Sequence, residues 1–254
     1  GTRLTVFWAR ATSTTMAAPT VTVPAVANSH IYARIITYRN VVSAGNPWDV
    51  TGGGVKTPAS TSVSVSGVTT TVPYARVVQA AARDTDANGV AFSAETNPNL
   101  TGIAERSDGG TNRGSGGGFA VWDGVKASAG AIGNTTATVT NSINAFLTVA
   151  LAPTTPAAPV YRALGGAATT GLNWPAHAVD DIALLFVEST GGQPVTLAAA
   201  NGFAPVANSP QATGAGTAGT QLTVFWARAT SAPPAGPVLS GTRHHVYRPI
   251  PTSR

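Results

Sequence analysis

GTRLTVFWARATS, residues Gly1 to Ser13, returns as GTQLTVFWARATS at Gly219 to Ser231, with Gln221 in place of Arg3 as the only difference. From position 1 to position 219 the offset is 218 residues. A duplication of this kind has to be settled before anything else, because it dictates how the rest of the chain is divided. Each copy reads as a strand: Leu4, Val6 and Trp8 fall on one face at period two, as do Leu222, Val224 and Trp226. The agreement continues more weakly, since His30-Ile-Tyr-Ala-Arg34 is echoed by His245-Val-Tyr-Arg248. Residues 1–38 are thus repeated at 219–254.

Working outward, the first copy begins the sequence and runs on into a long strand-rich stretch. The second copy is preceded by Asp181-Ile-Ala-Leu-Leu-Phe-Val-Glu188, which reads as a buried strand. Residues 1–151 are therefore expected to be a β-sandwich corresponding to the closing part of a repeat unit. Residues 152–166 are a Pro/Gly-rich linker that begins APTTPAAP, a composition suited to a stiff connector. Residues 167–254 are a second β domain, the opening part of the unit. Three arrangements follow. The chain is a window on a tandem array with a period of about 218 residues, or two compact but diverged β domains, or a protomer whose C-terminal half completes the N-terminal half of the next copy. In the last case an open edge and exposed core are repaired by an added strand, and the head-to-tail contact propagates.

Alternation recurs elsewhere. Val63 and Val65 interleave with Ser62, Ser64 and Ser66, and Ala145, Leu147, Val149 and Leu151 form a strand just before the linker. Ile31, Ala33 and Ile35 interleave with Tyr32, Arg34 and Ile36, which predicts cover on both faces. Asn46-Pro47, Asn88-Gly89 and Asp108-Gly109-Gly110 punctuate the runs as turns. The Ala-rich stretch Tyr74–Arg83 is the best helical candidate, but Val77 and Val78 suit a strand equally well. The expected fold class is all-β: a jelly-roll-like β-sandwich in which a partial repeat gives two incomplete halves.

Charged residues make up 10% of the chain, against roughly 25% in an ordinary soluble domain. With 43% hydrophobic residues and a net charge of +5, the chain is expected to fold rather than remain disordered. So few charges suggest a surface of hydroxyls, or one covered by neighbours. Basic residues are scattered singly, which argues against a nucleic-acid partner. The absence of cysteine excludes disulfides and thiolate metal sites. The longest apolar run, Ile182–Val187, is far short of a membrane span.

Chemistry-bearing patterns are sparse. Asp84-Thr-Asp86-Ala-Asn88-Gly89 followed by Glu95 satisfies the spacing of a calcium loop. Its flanks read as strand and loop rather than as two helices, so a surface turn is the plainer reading and no metal is assigned. Gly114–Gly118 offers backbone amides to an anion but reads better as a hairpin tip. His177, with Asp180 and Asp181, reads as solvated polarity. No nucleophile, acid and base stand in a recognisable set, so the chain is expected to be non-enzymatic and to need no cofactor. Trp48 or Trp122, if exposed beside turns, would stack on sugar rings and make a carbohydrate-binding or adhesive module.

The stretch Leu100–Leu151, with its Arg106-Ser107-Asp108 ahead of a Gly-rich hairpin and a Thr-rich strand pair, resembles the closing half of β-sandwich repeats in phage tail, virion and bacterial surface proteins. NWPAHAVDDIALLFVE followed by TQLTVFWARAT resembles the opening half, and Arg34–Val50 extends the likeness over most of the chain. The order of halves is inverted relative to that pattern. The resemblance implies a structural protomer of an extracellular or virion filament whose partners are copies of itself. The assembly residues expected on this reading are Leu4, Val6 and Trp8, with Leu222, Val224 and Trp226, and Ile182, Leu184 and Phe186 of the DIALLFVE strand.

Overall fold

The computed structural model describes residues 2–23, 30–86, 88–155, 159–166, 172, 174–190, 193–214 and 219–230. The echo at His245–Arg248, and His244, lie outside them. Among the described residues every regular element is a strand. In chain order these are β1 (Arg3–Thr12), β2 (Thr20–Thr22), β3 (Ile31–Arg39), β4 (Trp48–Val65), β5 (Thr69–Thr70), β6 (Ala75–Arg83), β7 (Phe92–Thr96), β8 (Thr101–Thr111) and β9 (Gly117–Lys126). They continue with β10 (Gly130–Ala131), β11 (Thr135–Leu151), β12 (Val160–Leu164), β13 (Ile182–Thr190), β14 (Thr196–Ala199), β15 (Ala204–Pro205), β16 (Gln211–Thr213) and β17 (Thr220–Ala229). The Ala-rich stretch expected as helix or strand is strand β6.

Two sheets face each other. One carries β12, β3, β13, β1, β15, β17 and β16; the other runs β4-β11-β6-β9-β8, with β7 also paired to β11. The C-terminal strands β13, β15, β16 and β17 therefore lie in the same sheet as β1 and β3, while β14 pairs with β2. Within the stretch expected as a linker, Val160–Leu164 forms β12 and pairs with β3, Tyr161 against Tyr38.

The core between the sheets follows from the period-two pattern. Leu4, Val6 and Trp8, Tyr32, Ile36 and Tyr38, and Ile182, Leu184 and Phe186 point inward from the first sheet. They meet Val78, Ala80 and Ala82, Phe119 and Val121, and the late-strand residues Ala145, Leu147, Val149 and Leu151 of the second. The alternate residues are buried too. Ile31, Ala33 and Ile35 of β3, with Ala183, Leu185 and Val187 of β13, form an outer cluster with Val21 of β2 and Val195. Cover on both faces explains why β13 is an unbroken apolar run rather than an alternating one.

The second sheet covers its own outer face. β4 and β11 are 18 and 17 residues long and slip register around Thr138–Asn144. Bulges bend long strands. Val63 and Val65, with Ala137 and Val139, consequently lie over Ala81, Ala120 and Trp122. Trp122 is therefore fully buried in the middle of β9, not exposed beside a turn.

One buried carboxylate ties the sheets together. Asp123 of β9 is fully buried and accepts from Tyr38 Oη across the sandwich at 3.0 Å. It also accepts from Arg76 Nη1 at 3.0 Å, and from Arg106 Nε and Nη2 at 2.9 and 3.1 Å. The Arg106 guanidinium lies 4.4 Å from the Tyr161 ring centre, which draws β12 onto the same cluster. Burial, reinforced by Asp123, raises the Tyr38 hydroxyl well above its ordinary pKa, so it stays a donor. Removing one member of a buried ion pair strands the other. Asp123→Ala is expected to cost about 3 kcal/mol in urea unfolding, and Tyr38→Phe about 1 kcal/mol; a larger loss for Tyr38→Phe would contradict this ranking.

Candidate assembly seat

β1 and β17, the two copies of the repeated strand, lie in one position. The Trp8 and Trp226 rings coincide, as do those of Phe7 and Phe225. Atoms exclude one another, so this is a single seat with two alternative occupants and not two strands side by side.

The registers are the same for both. Against β13, Leu4 and Leu222 pair with Glu188, Val6 and Val224 with Phe186, Phe7 and Phe225 with Leu185, and Arg10 and Arg228 with Ile182. On the other side, Phe7 and Phe225 pair with Pro205, Trp8 and Trp226 with Ala204, and Arg3 and Gln221 with Ala212. The seat is thus a groove between β13 and the two short strands β15 and β16. All nine residues singled out in the sequence meet here, with Leu4, Val6, Trp8 or their counterparts set against Ile182, Leu184 and Phe186.

Polar contacts are duplicated in the same way. Ser209 Oγ accepts from the Val6 amide at 3.1 Å or the Val224 amide at 2.7 Å. The Val206 amide donates to the Val6 carbonyl at 3.3 Å or that of Val224 at 3.0 Å. At the tail, the Asp180 amide donates to the Ala11 carbonyl at 2.6 Å or that of Ala229 at 3.1 Å. Arg10 and Arg228 each donate to the Val42 carbonyl. At the head, Thr2 Oγ1 or Thr220 Oγ1 donates to Glu188 Oε1, at 2.5 and 2.7 Å. Glu188 Oε2 in turn lies 2.6 Å from His30 Nε2.

The single difference between the copies falls inside the seat. Gln221 presents a neutral amide that donates to Thr223 Oγ1 at 3.0 Å. Arg3 brings a cation whose burial pushes its pKa down to about 10.

The remaining sequence candidates take structural positions. His177 is buried rather than solvated: its Nε2 accepts from the Met16 amide at 3.1 Å and its Nδ1 lies 2.7 Å from the Pro175 carbonyl. Asp181 is fully buried and pairs with Arg39 at 3.1 Å and Arg162 at 3.2 Å. The stretch around Pro175 reads as solvent-facing; Met16 and the Trp174 ring, 5.0 Å from that of His177, lie against it. In the Asp84–Glu95 loop, the Arg83 guanidinium takes up the carbonyls of Thr85 and Gly89 at 2.6 and 3.2 Å, and Asp84 accepts from the Ile143 amide. A side-chain cation thus sits where a calcium loop turns its oxygens inward. Gly114–Gly118 forms the β8–β9 hairpin, with positive φ at Gly114 and Gly116. Trp48 is half-buried and stands edge-on to Trp8.

Sequence reasoning missed Glu188, His30, Ser209 and Val42 as parts of the seat. A signal existed for the first: a carboxylate at the end of an apolar run has to find a partner.

No family model, no curated protein and no solved structure matches this chain.

Because either copy fits, the seat is redundant. Trp8→Ala and Trp226→Ala are each expected to change unfolding stability by less than about 0.5 kcal/mol, since the intact copy takes over, whereas the double variant loses about 3–5 kcal/mol. A single variant as damaging as the double one would mean that one copy alone owns the seat.

Proposed function

We propose that this chain is a non-enzymatic structural protomer that links to further copies of itself by strand donation, as a component of an extracellular or virion filament. The observation that carries the reading is the shared seat: each chain holds two strands that fit and one place to put them. The strand left over is ten residues of largely apolar sequence. A strand of that kind can displace its counterpart from the groove of another molecule.

The contact is heterologous, since a strand from one end of a chain enters a groove built by strands near the other end. Such contacts extend into filaments or close into rings. The low charge fraction and Thr-, Ser- and Gly-rich strands suit a surface packed among neighbours. An all-β sandwich and the resemblance to virion repeats are consistent with this role.

Exchange between identical copies conserves the number of filled seats and adds no burial of its own. The balance therefore rests on concentration: a strand on its own flexible tether sees its own seat at about millimolar effective concentration. Assembly is expected to be weak in dilute solution and to strengthen where copies are crowded on a surface or particle.

Light scattering and electron microscopy over rising concentration test this. The wild-type chain should pass from monomer to linear or ring oligomers near about 1 mM. Val6→Lys or Val224→Lys each bars one copy from the seat, leaves one strand for one seat, and should hold the chain monomeric at every concentration. A wild-type chain that stays monomeric well above that range, or variants that assemble as it does, would overturn the proposal.

A further inference from the structure

We infer that Glu188, which lies beside His30, is the residue by which the seat selects an incoming strand and fixes its register; this rests on the strand-donation reading above.

The argument starts from an ambiguity. Leu4, Val6 and Trp8 recur at period two, so a one-residue slip would turn them to the wrong face and is strongly disfavoured. A slip of two residues keeps apolar side chains inward and is not excluded by that pattern. Something else must distinguish the registers.

Thr2 and Thr220 stand on the inward face of their strands, two residues ahead of Leu4 and Leu222. In the observed register each places its hydroxyl on Glu188 Oε1. Thr5 and Thr223, the other threonines near the strand head, fall on the opposite face. The other oxygen of Glu188 stands 2.6 Å from His30 Nε2, an ion-pair contact that lacks hydrogen-bond geometry. His30 is itself fixed by Thr190, whose Oγ1 lies 2.7 Å from Nδ1 and accepts from the His30 amide at 3.0 Å. Glu188 is fully buried and His30 nearly so. The facing sheet closes over the pair: a Cβ on Gly117 would stand 3.1 Å from both Glu188 Oε1 and His30 Nε2. Bulk water therefore cannot replace a missing hydroxyl.

In the observed register Leu4 or Leu222 stands opposite Glu188, with the threonine two residues ahead; a strand shifted so that Val6 or Val224 faces Glu188 puts the leucine where the threonine stood and leaves the buried oxygen without its donor. A buried polar group that is satisfied in one register alone is an effective register device. The partner this site accepts is an extended strand of a second copy, with a hydroxyl side chain at its head, alternate apolar residues behind it, and an arginine at its tail for the Val42 carbonyl.

The test uses the full-length chain carrying both Val6→Lys and Val224→Lys, which vacates the seat. The probe is a fluorescent synthetic peptide of residues Gly219–Thr230, read by anisotropy. The wild-type peptide should bind, and one with Thr220→Val should bind at least about tenfold more weakly, the loss expected for a hydrogen bond to a charged group. With Glu188→Val added to the chain, the two peptides should bind alike. Equal binding of both peptides to the Glu188 seat would overturn the register role alone. Failure of the wild-type peptide to bind a folded seat would overturn the strand-donation reading beneath it. If the vacated chain does not fold, urea unfolding of the otherwise intact chain decides: Thr2→Val and Thr220→Val singly should leave the midpoint unchanged and together lower it. A double variant as stable as the wild type would refute the inference.

Discussion

The groove between β13 and the short strands β15 and β16 is the feature on which both apolar layers of the first sheet rest. Its occupant supplies Leu, Val and Trp to the inter-sheet core and Phe and Ala to the outer cluster. With the groove empty, β13 would lose its ladder partner along most of its length, and Ile182, Leu184 and Phe186 would face a slot. The occupant is indispensable, yet which copy supplies it is nearly indifferent, because the two differ at one position.

Around that groove the fold protects its margins. β15 and β16 offer little ladder to a stranger: they are two and three residues long, and β15 ends in Pro205. Short, proline-bearing edges resist unwanted pairing. The opposite margin is β12, five residues long and anchored by Tyr161 against Tyr38 and by Arg162 on Asp181. In this sheet the groove, not a margin, is the place built for a full strand; the second sheet ends in the longer margins β4 and β8. The groove demands a matching pattern on two faces as well as backbone pairing.

Two buried carboxylates do different work. Asp123 joins strands that remain together in any arrangement, and its arginine and tyrosine partners hold the two sheets in one relation. Glu188 faces the interchangeable strand and is completed by whichever threonine arrives. Buried ionic groups contribute less to net stability than well-packed apolar ones of the same volume. Their use here is in fixing geometry: Asp123 fixes sheet on sheet, and Glu188 fixes strand in seat.

Legible in the residues alone are the strand-built character of the chain, which residues of β1, β3, β11 and β13 share a face, and the presence of two copies of one strand. Those properties are local: side chains alternate every residue in any extended chain, and a repeated sequence presents the same two faces wherever it lies. The resemblance and the pattern also picked out the nine residues that meet in the seat. Only the tertiary structure decided that both copies contend for a single place, because that depends on what stands beside β13 and not on β1 or β17. Glu188 meets Thr2 across 186 positions and Tyr38 meets Asp123 across 85, and no period-two pattern encodes such pairings. For the same reason His177 reads as a surface residue and is buried. Whether a strand end or a polar turn is covered is set by distant segments that the local sequence does not contain.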